Sequence, residues 1–373
     1  MIMLVYLGIA LFFFSLLPHI IYLVGTSLEK PPDPREPPGD LPPITLILSA
    51  YNEEQILPAR VRNLMESTYP KEKVEIILID DFSGDQTARV AAESLGGSGF
   101  RHRVIRNPER LGTNRSYNRA IPMASHPIIV TTDADVFFEP DALVRVVTRL
   151  VSDDDIVAVC GDLRPFPSGT STTAFESVYR NFFGRMCEWE SRIDSTYTFN
   201  GALVAFRKDR VNRIEDKKGS DDANTAFEAI RRGYRAVYEI RAVVYEYIPP
   251  DFSAQYRQKT RRAKRLIEAT LANLDLLGHD RPFSRYFYPL RIFMYVVSPA
   301  LFFAALFLFG AGVLLLSPAL FLILVAVFAL VTVAWRRNFA VALVLNQFYL
   351  LVGLLRLPTE TRIWESTTKR ITG

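Results

Sequence analysis

The stretch TTDADVFFEPDAL, residues 131–143, follows the apolar run PIIV and sets two aspartates one residue apart. The run reads as a buried strand ending at its carboxylates, Asp133 and Asp135. Paired acids at such a place repel each other unless a lysine, an arginine or a metal ion sits beside them. If the strand continued through both, the two side chains would point to one face. Alone, a D-x-D is a weak signal, because exposed turns produce it by chance. Its surroundings give it weight.

Upstream, ITLILSAYNEE (44–54) and VEIILIDDFSGDQT (74–87) repeat the pattern of an apolar run ending in polar residues. ILPARVRNLMEST, 86–95 and 113–124 have helical spacing between them, and RHRVIRN reads as a short strand. This β-α-β-α-β order predicts an α/β fold with a mostly parallel sheet and helices on both faces. Such sheets bind ligands outside the carboxyl ends of their strands. Tyr51, Asn52, Glu53, Asp80, Asp81, Asp133 and Asp135 should therefore line one crevice. A hard divalent ion that in turn binds a diphosphate suits that rim.

Hydrophobic residues make up 49% of the 373, charged residues 23%, and the net charge is +4. No long basic run points to nucleic acid. Two cysteines and four histidines offer neither a disulfide framework nor a zinc site, so any metal would be carboxylate-bound Mg²⁺ or Mn²⁺.

The apolar residues concentrate at the ends. Residues 2–25 contain no Lys, Arg, Asp or Glu and exceed the about 20 residues a membrane span needs. They lack the basic start and cleavage site of a signal peptide and read as a retained anchor. Further apolar segments occupy 292–316, 318–335 and 339–355, the last carrying Asn346 and Gln347 in its middle. It crosses, re-enters or lies in the interface. Lys30 and Arg35 after the first span, with Arg281, Arg285 and Arg291 before the second, place the central domain in the cytosol. The expected division is an anchor at 1–27, a Pro-rich linker at 28–43 and an α/β domain at 44–250. Amphipathic interfacial helices at 251–290, membrane segments at 291–357 and a tail at 358–373 follow.

Between 44 and 275 the sequence resembles the membrane-bound members of glycosyltransferase family 2, which have a GT-A catalytic fold and use nucleotide-sugar donors. SAYNEE (49–54) and LIDDFSGDQT match its nucleotide-binding strand ends. The resemblance implies donor contacts from Ala50, Tyr51, Glu53, Asp80, Asp81 and Asp133. Gly112 and Asn118, in RLGTNRSYNRAI, match the Gly-Lys-rich segment, which implies donor contacts from both, although Thr113 replaces the usual lysine. Asp133 and Asp135 match the metal and diphosphate motif. FNGALVAFRKD (199–209) resembles the segment bordering the acceptor site, which implies acceptor contacts from Asn200 and Gly201. In GSDDANTAFEAIRRGY the second acid, Asp222, matches the catalytic base, with Asp221 beside it. QYRQKTRRAKR (255–265) matches QxxR at Gln258 and Arg261, and Arg262 stands where relatives carry an acceptor-stacking tryptophan.

The resemblance implies an inverting, metal-dependent transfer from a nucleotide sugar, UDP being the commoner carrier, to a hydroxyl on a lipid or lipid-linked glycan. The Arg261 guanidinium and the metal would offset charge on the leaving diphosphate, and Asp222 would take the hydroxyl proton. A polyprenyl phosphate acceptor would need no base. A processive polysaccharide synthase shares these motifs, and Arg262 and the few spans count against it. A membrane-tethered sugar-nucleotide sensor or assembly subunit would not need Asp222, Gln258 and Arg261 together.

Overall fold

The structure, a computed structural model, describes residues 1–28, 35–167, 171–216, 221–248, 252–334 and 339–358. In chain order its elements begin with α1 (Ile2–Leu28), β1 (Ile44–Ala50), α2 (Leu57–Met65), β2 (Val74–Asp80), α3 (Thr87–Gly96) and β3 (Arg101–Arg106). Next come α4 (Thr113–Ala120), β4 (Ile128–Asp133), β5 (Val136–Phe138), α5 (Ala142–Val151) and β6 (Ile156–Pro165). They continue with α6 (Ser171–Ile193), β7 (Val204–Arg207), α7 (Asp221–Arg231), β8 (Arg235–Glu246) and α8 (Phe252–Ala272). A helical run α9 (Phe283–Leu316), α10 (Pro318–Ala334) and α11 (Phe339–Leu355) close the list. The described residues divide into two units, one within 1–28, 167, 171–186, 252–334 and 339–358, the other within 35–166, 187–216 and 221–248.

The second unit is built on an eight-stranded sheet of order β3-β2-β1-β4-β7-β6-β8-β5. β1, β2 and β4 are the apolar runs of the sequence, and nearly every residue in them is buried, as central parallel strands require. Leu46, Leu48, Ile76, Leu78 and Val130 pack with Val146, Val147 and Leu150 of α5 in one core. The α/β expectation holds, and β3, β2, β1 and β4 are parallel.

Beyond β4 the direction changes. β7 runs antiparallel to β4 and β6, β6 and β8 are parallel, and β5 is antiparallel to β8. One local event explains β5. β4 stops at Asp133, and Ala134 and Asp135 form a turn into Val136, which pairs with Glu246 of β8. Asp135 is therefore not the strand residue that a continuing β4 would have made it. β4 and β5 are joined by two residues yet separated in the sheet by β7, β6 and β8, so that half must curl. At the β5 edge, Phe166 stacks on Tyr247 with ring centroids 4.5 Å apart, and Phe137 meets Phe166 edge-on at 5.6 Å.

In the first unit, α1 and α9 are long and apolar enough to cross a membrane, and the apolar stretches Pro318–Val331 and Ala340–Leu355 are shorter. The expected segment 292–316 belongs to the 34-residue run of α9. Small residues let α1 and α9 touch backbone to backbone. A Cβ on Gly8 would lie 2.6 Å from Phe309 N, and one on Gly312 would lie 2.8 Å from Val5 Cγ2. Gln347 of α11 is buried, 3.2 Å from His19 Nε2, while Ser298 Oγ donates to Ser15 O at 2.7 Å. Gln347, in the polar middle of 339–355, thus finds its partners on other helices, His19 and Ser298. α11 also lies on α8, where a Cβ on Gly353 would stand 3.0 Å from Lys264 N and Arg356 Nη1 donates to Thr260 Oγ1 at 3.3 Å.

Candidate active site

Sheet register aligns three of the polar strand ends. Ala50 pairs with Asp80 and Ser49 with Asp133, so the ends of β2, β1 and β4 form one row. The chain leaves β1 towards β2 and β3, then returns on the other side as β4. That reversal opens a crevice between β1 and β4.

The loops after β1 and β2 are tied together. Asn52 N donates to Ser83 Oγ (3.0 Å), Gly84 N to Asn52 Oδ1 (2.9 Å), Glu53 N to Thr87 Oγ1 (2.8 Å) and Gln86 N to Glu54 Oε2 (2.8 Å). Asp80 is 1% exposed. Its Oδ1 accepts from Ser83 N at 3.0 Å, and its Oδ2 accepts no hydrogen bond, with Arg106 Nε 3.4 Å away. Tyr51 carries the Arg110 guanidinium on its ring, 3.0 Å from the centroid.

Two residues to which the resemblance assigns donor contacts are engaged with the protein itself. Asp81 accepts from Asn107 Nδ2, Leu111 N and Gly112 N, each at 2.8 Å, and pairs with Arg110 at 3.4 Å. It holds the Leu111–Gly112 loop, where Gly112 takes φ +84° to open α4. Asn118 donates to Ile214 O at 2.7 Å and accepts from Ile214 N at 2.8 Å, fastening the segment before α7.

The paired aspartates have a protein-borne counter-charge in Arg60 of α2. Its side chain is fully buried. Nη2 donates to Thr132 Oγ1 (3.1 Å), Nη1 to Asn63 Oδ1 (2.9 Å), and the guanidinium lies 4.0 Å from the Phe138 ring centroid. Burial pushes its pKa down to about 9, against the pull of Asp135 and Asp133, so it stays ionised at neutral pH. Sequence reasoning passed over Arg60 although its place was legible. With Leu57, Val61 and Leu64 it completes a buried face at i, i+3, i+4 and i+7.

The acceptor-segment residues reach the same strand end. Asn200 Nδ2 donates to Gly161 O at 2.8 Å and its Oδ1 accepts from Ala202 N at 3.1 Å. Thr132 Oγ1 donates to Ala202 O at 2.6 Å, which lays residues 200–202 alongside the end of β4. Gly201 sits at φ +72°, and the carboxylate of Asp222 is packed onto it. A Cβ there would fall 2.2 Å from Asp222 Oδ1 and 2.7 Å from Oδ2. Asp221 opens α7, and its side chain lies outside the described residues, as does Ser220. Gln258, Arg261 and Arg262 are carried by α8 of the first unit, Gln258 buried and the two arginines half-buried.

Gly201→Ala should cost about 2 kcal/mol or more, from a strained φ and a Cβ with nowhere to go except into Asp222. Thermal unfolding checks this, and an unchanged midpoint would mean that the carboxylate is not held there.

For a metal ion, Asp133 and Asp135 offer two hard carboxylates at the mouth of the crevice, a donor set that suits Mg²⁺ or Mn²⁺. No group of three or more Asp, Glu, His or Cys able to hold a metal occurs among the described residues. Protein ligands would thus supply part of a coordination sphere, and a diphosphate and water the remainder.

Comparison with known proteins agrees with the architecture. A family model described as glycosyl transferase family 2 matches residues 45–209, and one described as glycosyl transferase family group 2 matches 128–337. The chain is 25% identical over 274 residues to the probable glycosyltransferase YdaM of Bacillus subtilis (strain 168), covering 69% of this chain and 65% of that one. It is 24% identical over 269 residues to poly-beta-1,6-N-acetyl-D-glucosamine synthase of Staphylococcus aureus (strain COL), covering 68% and 64%. The match thus spans just under two thirds of these relatives' length. In three dimensions the chain resembles the mannosyltransferase PcManGT from Pyrobaculum calidifontis, solved in complex with GDP-Man and Mn²⁺. The TM-score is 0.80 at 24% identity, covering 95% of this chain and 99% of that one.

Proposed function

Because the chain belongs to glycosyl transferase family group 2, we propose that it transfers a sugar from a nucleoside diphosphate sugar to an acceptor hydroxyl, inverting the anomeric carbon. The observation that carries this reading is the Asp222 carboxylate seated on Gly201, with residues 200–202 hydrogen-bonded to the β4 end that bears Asp133. A base and a diphosphate-holding motif then serve one strand end.

In the reaction, Asp222 takes the acceptor hydroxyl proton as its oxygen bonds to the anomeric carbon. The bond to the diphosphate breaks, and the diphosphate leaves with the electron pair. Asp133 and Asp135 would hold Mn²⁺ or Mg²⁺, which when bound supplies positive charge to the diphosphate. Asp80 and Tyr51 orient the nucleoside. For Gln258 and Arg261 of α8 we retain the role that the motif implies, Arg261 offsetting charge on the departing group.

The chain anchors in a membrane through α1 and α9, with the α/β unit on the cytosolic side where the basic flanks lie. The acceptor is then a lipid or lipid-linked glycan. Similarity to a polysaccharide synthase favours a second reading, repeated addition to one chain.

The test uses membranes containing the protein, a panel of labelled UDP- and GDP-sugars, and Mn²⁺ or Mg²⁺, followed by solvent extraction. Label on a small organic-phase species is the expected result and names the donor. Label in a large water-soluble product would establish the synthase reading. No transfer from any donor would remove both.

A further inference from the structure

The loops after β1 and β2 are built on one plan, with a left-handed residue two positions beyond each strand. In the first it is Asn52 at φ +54°, in the second Phe82 at φ +63°. Asparagine tolerates this conformation, whereas a bulky side chain is strained there and glycine would not be. An aromatic residue usually offsets strain by burying its ring, but Phe82 is 48% exposed. For the turn alone, phenylalanine is a poor choice.

The ring's surroundings suggest what it serves. The Arg106 guanidinium lies 5.5 Å from the Phe82 ring centroid, held by Nη2 donating to Ser83 O at 2.8 Å. Beside it is the buried Asp80 Oδ2, which accepts no hydrogen bond. An exposed aromatic ring, a fixed donor and a buried acceptor thus gather at one strand end. Strain of this kind collects at ligand clamps.

We propose that Phe82 is a nucleobase-binding residue, its ring forming a wall against which the base of the donor stacks. Asp80 Oδ2 accepts from a base N–H, and Arg106 donates to the adjacent base carbonyl. Uracil and guanine both present an N–H next to a C=O, and neither cytosine nor adenine does. The site therefore takes uridine or guanosine diphosphates and rejects CDP and ADP. This deepens the proposed function and rests on it.

The test is nucleotide binding to the full chain in detergent, using UDP, GDP, CDP, ADP and inorganic pyrophosphate with Mn²⁺. Phe82→Gly should weaken the preferred nucleotide about 10-fold or more, as expected for a lost stacking ring, with pyrophosphate unaffected. Its melting temperature should stay level or rise, because glycine relieves the left-handed strain. Phe82→Tyr should restore affinity. Unchanged nucleotide affinity in Phe82→Gly would overturn the proposal, and so would a lowered melting temperature, which would make the ring a packing element. A wild type that binds pyrophosphate but neither UDP nor GDP would remove the donor reading as well.

Discussion

Asp222→Asn is expected to lower transfer by about 10²- to 10⁴-fold while leaving nucleotide affinity within about two-fold of wild type. The amide matches the carboxylate in size, so it fits against Gly201, where the space is tight enough to exclude even a methyl group. It cannot take a proton. The loss should therefore fall on turnover, with an unchanged melting temperature showing that the fold is intact. Turnover near that of wild type would remove Asp222 as the base. The nucleophile would then be anionic before it reaches the site, and a phosphate acceptor would replace the hydroxyl.

Arg60→Met should destabilise the α/β unit by about 3 kcal/mol, because a buried charge partner is lost while the acids remain. Thr132 Oγ1 also loses its donor, Asn63 Oδ1 is left with Phe138 N alone, and Phe138 loses the cation on its ring. Lysine should rescue little, having a point charge in place of a fork that reaches two acceptors. Mn²⁺ should raise the melting temperature of Arg60→Met more than that of wild type, by supplying the charge that Asp133 and Asp135 have lost. Denaturation with and without Mn²⁺ measures both effects. A variant as stable as wild type would show that the aspartates need no counter-charge from α2.

Much of this arrangement was legible in the sequence. Runs such as ITLILSA and VEIILID have the continuous apolar character of strands covered on both faces, and their polar ends mark the sheet edge. Motif spacing could not reveal which side chains are already engaged. Asp81 and Asn118 match binding positions, yet their oxygens hold the Gly112 loop and Ile214, and only the fold brings those backbones within reach. Arg60 was hidden for the opposite reason. An arginine in an amphipathic helix is normally taken for a solvent residue, although its spacing set it on the buried face. The curl of the sheet was also beyond sequence reasoning. It depends on β5 pairing with β8 some hundred residues later, and a two-residue turn gives no sign of a partner so distant.

The close packing of α1 on α9 also sets a schedule. Gly8 meets Phe309 across 301 positions of chain (309 − 8). At roughly 5–20 residues per second of synthesis, the first helix waits about 15–60 s for the surface that covers it. Throughout that interval its glycine face is open to any other helix nearby. A newborn chain beside a second copy on the same message thus has time to pair wrongly, α1 to a neighbour's α9, before its own has been made.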